Sequence, residues 1–368
     1  MRLKLENYQY GFRIVSLALT PAVRDRLLEE NLSVLYVNEQ ETVLFPENVH
    51  LSAENTCMQG IRELNSYDVL EIWENGGIHR RYNDESEDNY FFITGGCNSN
   101  CIMCPSPDAS RKNVPQTNVA DLITLAKHIP TDAPHLTITG GEPFLIGEKI
   151  FPFLQCLKER FTETEFLFLT NGRVFAIEKY IQQFVKNAPD NTIVAIPIHG
   201  SCAQIHDAIT RANGSFQQTK HGIQQLLKNN IRVEIRLVVS KLNVNDFDNL
   251  ADLIIEQFKG IAYVSVIAME MTGNARVNQE LVWMPYKASF SAISSAIRKL
   301  VSNGINVKLY NFPICTVEKP FWTLCEKSIS SNKIRFAETC DVCKYKAACS
   351  GVFAGTFQLE KDELKAIL

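Results

Sequence analysis

From Tyr90 onward, short apolar runs alternate with longer amphipathic stretches. The runs are Tyr90–Thr94, His135–Thr139, Glu165–Leu169, Thr192–Ile198, Arg232–Val239 and Ala262–Ile267. They are rich in β-branched and aromatic residues, and most stop at Gly, Asn or Ser, which reads as strands. Between them, Val119–His128, Phe151–Phe161, Ile177–Lys186, Phe216–Lys228 and Phe247–Phe258 carry apolar positions at helical spacing. Six successive βα units predict an α/β fold with a parallel sheet, curled into a partial (β/α)6 TIM-like barrel. A closed barrel would need two more strands. Residues 1–88 instead read as a β-rich N-terminal domain, with short pieces such as Leu32–Val37 and Asp68–Trp73 ending in the polar linker Asn83–Asp88. The alternation defines a core over 89–304 and breaks from 305, leaving 305–368 as a small C-terminal module.

Composition narrows the function classes. A chain of 368 residues with 45% hydrophobic and 21% charged residues is long enough and apolar enough for a sizeable core. The net charge of −4 supplies no basic excess for nucleic acid. The start, Met1-Arg2-Leu3-Lys4, turns polar at once, and no run of about 18 apolar residues follows, so neither an export signal nor a membrane partner is expected and the cytoplasm is the default. The eleven cysteines are uneven: three fall within Cys97–Cys104 and five within Cys315–Cys349. In a reducing compartment such clusters are more often metal or iron–sulfur ligands than disulfides.

The first cluster, Cys97-Asn98-Ser99-Asn100-Cys101-Ile102-Met103-Cys104, follows the first strand with the spacing C-x3-C-x2-C. Three thiolates on one loop hold three irons of a 4Fe-4S cube and leave the fourth iron open to a ligand. Zinc would want a fourth ligand nearby, and only His128 follows within thirty residues. After the second strand comes Gly140-Gly141-Glu142-Pro143, where paired glycines admit a close main-chain approach and the carboxylate can accept from an ammonium.

These two motifs, in this order on a βα array, resemble the radical S-adenosylmethionine (SAM) superfamily. The resemblance implies a SAM-binding 4Fe-4S cluster on Cys97, Cys101 and Cys104, and SAM as cofactor, cleaved to a 5′-deoxyadenosyl radical that abstracts a substrate hydrogen. It implies that Gly140, Gly141, Glu142 and Pro143 hold the methionine amino group. Thr170-Asn171-Gly172 resembles the family's TNG turn, which brings in Asn171. It further implies His199 or Ser201 at the ribose and Arg236 at the SAM carboxylate.

The second group, Cys340, Cys343 and Cys349 with Cys315 upstream, offers four thiolates, enough for an auxiliary 4Fe-4S cluster or for a four-cysteine zinc site. Cys325 is left over. It is either a swapped ligand, a substrate-facing thiol that would be a catalytic candidate, or a small buried apolar residue. The β-rich opening, the CNxxCxMC loop, His206-Asp207 with Gly214-Ser215-Phe216, Glu270-Met271-Thr272-Gly273, Tyr310–Cys315, Trp322, Ser328-Ile329-Ser330 and the terminal C-x2-C-x5-C together are similar to the maturases of the His-Xaa-Ser system. That likeness implies a Twitch-like, half-SPASM C-terminal module with an iron–sulfur auxiliary cluster. It also implies a ribosomal precursor peptide as substrate, and an electron donor such as flavodoxin or ferredoxin. Two other classes stay open: a radical SAM enzyme acting on a small molecule or cofactor precursor, and a non-catalytic iron–sulfur or zinc scaffold.

Overall fold

The computed structural model of the chain describes residues 3–368 apart from 54, 107–110, 112, 113, 115 and 116. Met1 and Arg2 of the polar opening therefore lie outside the described residues. The opening folds as a mixed eight-stranded sheet. Its elements are β1 (Leu3–Glu6), β2 (Arg13–Ala18), α1 (Pro21–Glu29), β3 (Val34–Val37), β4 (Thr42–Phe45), β5 (Val49–His50), β6 (Ser52–Ala53), α2 (Asn55–Arg62), β7 (Val69–Ile72) and β8 (Gly77–Tyr82). The strand order is β5-β4-β3-β2-β7-β8-β1-β6, parallel at β2–β3 and antiparallel at the other neighbours. One face, with Val15, Leu17, Leu35, Leu70 and Ile72, closes on Cys57 and Ile61 of α2. The pleat alternates side chains between faces, so Ile14 and Val69 on the opposite face join the core of the second sheet.

That second sheet is built from β9 (Tyr90–Phe92), α3 (Val119–His128), β10 (His135–Thr139), α4 (Phe151–Arg160), β11 (Glu165–Leu169), α5 (Glu178–Asn187), β12 (Thr192–Pro197), α6 (Ala203–Thr210), α7 (Ser215–Lys228), β13 (Arg232–Val238), α8 (Phe247–Gln257) and β14 (Tyr263–Ile267). It goes on through α9 (Gly273–Val277), α10 (Gln279–Val282), α11 (Tyr286–Ser302), β15 (Val307–Tyr310) and β16 (Cys325–Glu326). All neighbours are parallel, in the order β16-β15-β14-β13-β12-β11-β10-β9. The two ends, β9 and β16, do not pair, so the sheet is a curled, open barrel. The six expected strands are present, but two more follow. The sheet therefore runs past residue 304, and the break in alternation seen in the sequence is not the end of the barrel. β15 is short and β16 has two residues, too little pattern to announce a strand. Beyond them lie a two-stranded hairpin, β17 (Ile334–Arg335) with β18 (Val352–Phe353), and α12 (Phe357–Glu360).

Alternation along the strands separates the core from the site. Ile138, Phe168, Ile196, Ile235, Val266 and Leu309 point outward and are buried under the helices. Thr139, Leu169, Pro197, Arg236, Ile267 and Tyr310 point the other way, into a cavity at the C-terminal ends of the strands. Ser16 Oγ and His128 Nδ1 lie 2.9 Å apart across the junction between β2 and α3. Burial, with the Arg160 charge, pushes His128 down to about 4, so this buried imidazole is neutral at pH 7.

Candidate active site

The cavity measures about 630 Å³. Cys97, Cys101 and Cys104 line it together with the strand ends, and Asn311, Ser328, Lys333 and Phe353 from beyond β15 complete the wall.

Four elements hold the cysteine loop. The turn after β10 runs against its start: Gly141 N–H donates to Thr94 O and Glu142 N–H to Gly96 O, both at 2.8 Å. Gly140 has a left-handed φ of +152°, and a methyl there would collide with the Thr94 carbonyl; one on Gly141 would collide with those of Gly95 and Gly96. The turn after β11 grips the middle. Asn171 Nδ2 donates to Asn98 Oδ1 at 2.7 Å, and Arg173 Nη1 donates to Asn98 O at 2.8 Å and Ser99 Oγ at 3.1 Å. Then α6 and α9 close on the end. Asn100 N–H and Ile102 N–H donate to Thr210 O and Ile209 O, at 3.0 and 2.9 Å. Asn274 N–H donates to Cys104 O at 2.8 Å, Asn274 Nδ2 to Cys101 O at 3.0 Å, and Asn278 Nδ2 to Ile102 O at 3.0 Å.

The His206-Asp207 and Gly214-Ser215-Phe216 motif is part of this support. Asp207 accepts from Gly214 N–H, Ser215 Oγ and Phe216 N–H at 2.7, 2.8 and 2.7 Å, which ties the end of α6 to the start of α7. These donors outweigh desolvation and hold its carboxyl below the usual range.

The donor set fits an iron–sulfur cluster. Three thiols converge on one cavity, and burial pushes Cys101 up to about 12, with the neighbouring thiols adding to it. Burial likewise raises Cys97. Thiols this buried ionise readily only against a metal, and its binding must expel their protons. Beside them His199 is 5% exposed, and its Nδ1 has no hydrogen-bond partner although it lines the cavity. A buried imidazole nitrogen without a partner calls for a ligand atom. Burial and the adjacent His206 push His199 down to about 3, so it is a neutral group there. Arg236 also faces the cavity, steadied from below by Glu234 at 3.6 Å, while Tyr263 OH donates to the other oxygen of Glu234 at 3.2 Å.

Four residues named from the sequence, Glu142, Pro143, Ser201 and Cys325, do not line the cavity. The Glu142 carboxylate is buried and accepts from Thr170 Oγ1 at 2.7 Å, Phe144 N–H at 3.1 Å and Asn171 N–H at 2.8 Å, so it fastens the β10 turn to the β11 turn. Pro143 is buried beside it, and at this point the cavity is walled by Gly140 and Gly141. Ser201 is spent on Asp246: its N–H and Oγ donate to the two carboxylate oxygens at 2.6 and 2.8 Å. Cys325 lines neither this cavity nor the second one. It lies in β16 opposite Leu309, its S–H directed at Phe321 O at 3.9 Å, and burial pushes it up to about 12. The sequence reading missed Tyr310 and Lys333 as lining residues, and Arg173, Asn274 and Asn278 as supports. None of these carries a signal in the sequence, since β15 itself shows too little pattern to set the register of Tyr310.

Cys315, Cys340, Cys343 and Cys349 meet around a second, small cavity of about 20 Å³, walled by Pro313, Ile314, Phe336 and Leu364. Residues up to 34 positions apart in sequence are thus brought to one point by the segment after β15 and the turns before β18.

An open parallel barrel with a three-cysteine loop at its C-terminal rim is an arrangement that can hold an iron–sulfur cofactor. Residues 91–254 match the radical SAM superfamily. The domain implies a 4Fe-4S cluster and SAM. Over 195 residues the chain is 28% identical to an AdoMet-dependent heme synthase of Methanosarcina barkeri, covering 51% of this chain and 52% of that one. The chain therefore spans about half the length of this curated relative. Its fold is similar to the structure of anSMEcpe with bound AdoMet, at TM-score 0.50 and 16% identity over 69% of this chain and 70% of that one. The structure of Streptococcus suis SuiB bound to S-adenosylmethionine matches at TM-score 0.48 and 13% identity, over 60% and 49%. Among the described residues no helix is long and apolar enough to cross a membrane.

Proposed function

We propose that this protein is a peptide maturase: it uses a SAM-derived radical to take a hydrogen from a ribosomally made precursor peptide, with a second 4Fe-4S cluster on Cys315, Cys340, Cys343 and Cys349. The observation that carries the reading is the shared wall. Residues of the segment from β15 to β18 line both the second cysteine cavity and the main cavity that Cys97, Cys101 and Cys104 also line. A substrate in the main cavity would meet the same segment that carries the second cysteine group.

The residues divide the work. Cys97, Cys101 and Cys104 would hold the first cluster, and the main chain of Gly140 and Gly141 would meet the methionine end of SAM. Asn171 and His199 would line the nucleoside, His199 through its free Nδ1. Arg236 would meet the carboxylate. Ser201 and Glu142 act behind them as positioning residues. When bound, the cluster and SAM supply a 5′-deoxyadenosyl radical, and the barrel keeps water from it. The anSMEcpe and SuiB likenesses are of fold, and the peptide reading rests instead on the motifs after residue 305. The heme synthase relative favours a second reading, a small-molecule or cofactor-precursor substrate.

Reconstitution without oxygen tests both levels. Two cubes give about eight irons per chain. Replacing Cys97, Cys101 and Cys104 by Ala should remove about four of them and all 5′-deoxyadenosine formation. Short peptides encoded beside the gene should then gain a mass change dependent on SAM and reductant. Turnover of a tetrapyrrole precursor, with all such peptides inert, would establish the second reading.

A further inference from the structure

The second cysteine cavity is closed on one side by a stretch that carries no motif. Leu364, Lys365 and Ile367 line it with the four cysteines. Leu364 is 5% exposed and belongs to the main core, while its carbonyl accepts from Thr339 Oγ1 at 3.4 Å. The Ile367 carbonyl accepts from Lys344 N–H at 3.0 Å. These two anchors stand on either side of the Cys340–Cys343 pair, so the stretch crosses over it.

From this crossing, main-chain groups turn toward sulfur. Ile367 N–H donates to Cys343 Sγ at 3.4 Å, and the Lys365 backbone hydrogen-bonds Cys315. Cys349 takes its donors from elsewhere, the N–H groups of Ile314 and Gly351, each at 3.4 Å. An N–H···S bond withdraws electron density from a ligating thiolate, stabilises the more negative, reduced cluster and raises its potential. An apolar cover keeps solvent from the same sulfurs.

We propose that Leu364–Ile367 is a strap that retains and tunes the metal centre of the second cysteine group, its two main-chain donors raising the potential and Leu364 excluding water. The proposal rests on the reading of that group as a cluster site. The donors are backbone groups, so a proline removes one where an alanine does not. The experiment uses the full chain, anaerobically reconstituted, with redox titration followed by EPR. Ile367→Pro should move the midpoint of the second cluster to more negative potential and leave the first unchanged, while Ile367→Ala, which keeps the N–H, should move neither. Leu364→Ala should speed iron loss from the second site to a chelator several-fold, with loss from the first site unaltered. An unchanged midpoint in a loaded Ile367→Pro protein overturns the proposal. If that variant does not load, the chelator rate of Leu364→Ala decides: a rate equal to wild type overturns it. Zinc, or only about four irons, in the wild-type protein overturns instead the cluster reading itself and the proposal with it.

Discussion

Individual side chains in this site have roles that differ from what their motifs announce. Glu142 is the clearest case: three donors converge on its buried carboxylate, and their sources are two different turns. Glu142→Gln keeps the shape but sets an amide N–H₂ against a donor. It should cost about 1–3 kcal/mol, read as a lower Tm of the metal-free protein. SAM affinity should fall as a consequence, because the Asn171 turn loses its anchor. An unchanged Tm would show the carboxylate to be a direct ligand group only. A second buried acid, Glu360, accepts from Tyr286 N–H at 3.2 and 3.3 Å through its two oxygens. Burial raises it from 4.5 to about 7, with Glu363 adding to the rise and the Tyr286 N–H opposing it. Between those values the folded chain keeps a proton that the unfolded chain has released. The contribution of Glu360 to stability is therefore fully present below pH 4.5 and is lost as pH rises through about 7. The drop is at most about 3 kcal/mol. Glu360→Gln should flatten this part of the pH–stability curve, measured by denaturant unfolding of the metal-free protein.

At the scale of elements, the cysteine loop is a suspended segment. Apart from the glycine crossing at its start, its partners come from the β11 turn, the end of α6 and α9. The last of these, five residues long, has little helix stability of its own. It is fixed by contact with the loop it supports. Gly273 there has φ +52°, and a methyl on it would collide with the Pro105 carbonyl, so the helix starts as close to the loop as a chain can come. Asn274→Ala removes side-chain donors to Asn100 Oδ1 and Cys101 O, at 3.2 and 3.0 Å, and leaves them the donors from Arg111 Nη2 and Cys104 N–H. It should lower retention of the first cluster, seen as several-fold faster iron release to a chelator. The second cluster and the far-UV circular dichroism should not change. Equal release rates would mean that the loop is held by α6 and the β11 turn alone.

For the whole molecule, the central question is how the chain from β15 to β18 comes to line both the main cavity and the second cysteine cavity. The curled sheet answers it by placing β15 and β16 at its open edge, so the chain leaves the barrel beside the cavity it must wall. Cys315 and Cys325 separate at that point. Cys315 faces the second cavity with Cys340, Cys343 and Cys349, whereas Cys325 is held in β16. Cys325→Ala should keep full iron content, and Cys315→Ala should lose part of it or yield a labile cluster. Iron analysis of the two variants side by side checks this, and the reverse result would exchange their roles. The opening sheet is tied in as well, since Ile14, Val69 and Tyr82 belong to the same core as Phe91 and Leu125.

Read by itself, the sequence determined the parallel βα array, the cysteine loop at its first strand end and the glycine turn at its second. Those features are local: strand and helix periods, turn residues and thiol spacing act within a few residues of one another. Only the tertiary structure decided that Glu142 and Ser201 are consumed by neighbours while His199 keeps a nitrogen free, because hydrogen-bond partners 28, 29 and 45 positions away are set by packing. It alone extended the sheet by two strands, since a strand of two residues at an edge exists through its pairing and has no period to read. It also placed Cys315 and Cys325 apart, Cys315 in the turn after β15 against the second cavity and Cys325 within the paired edge strand β16, a placement that depends on how the chain leaves the sheet.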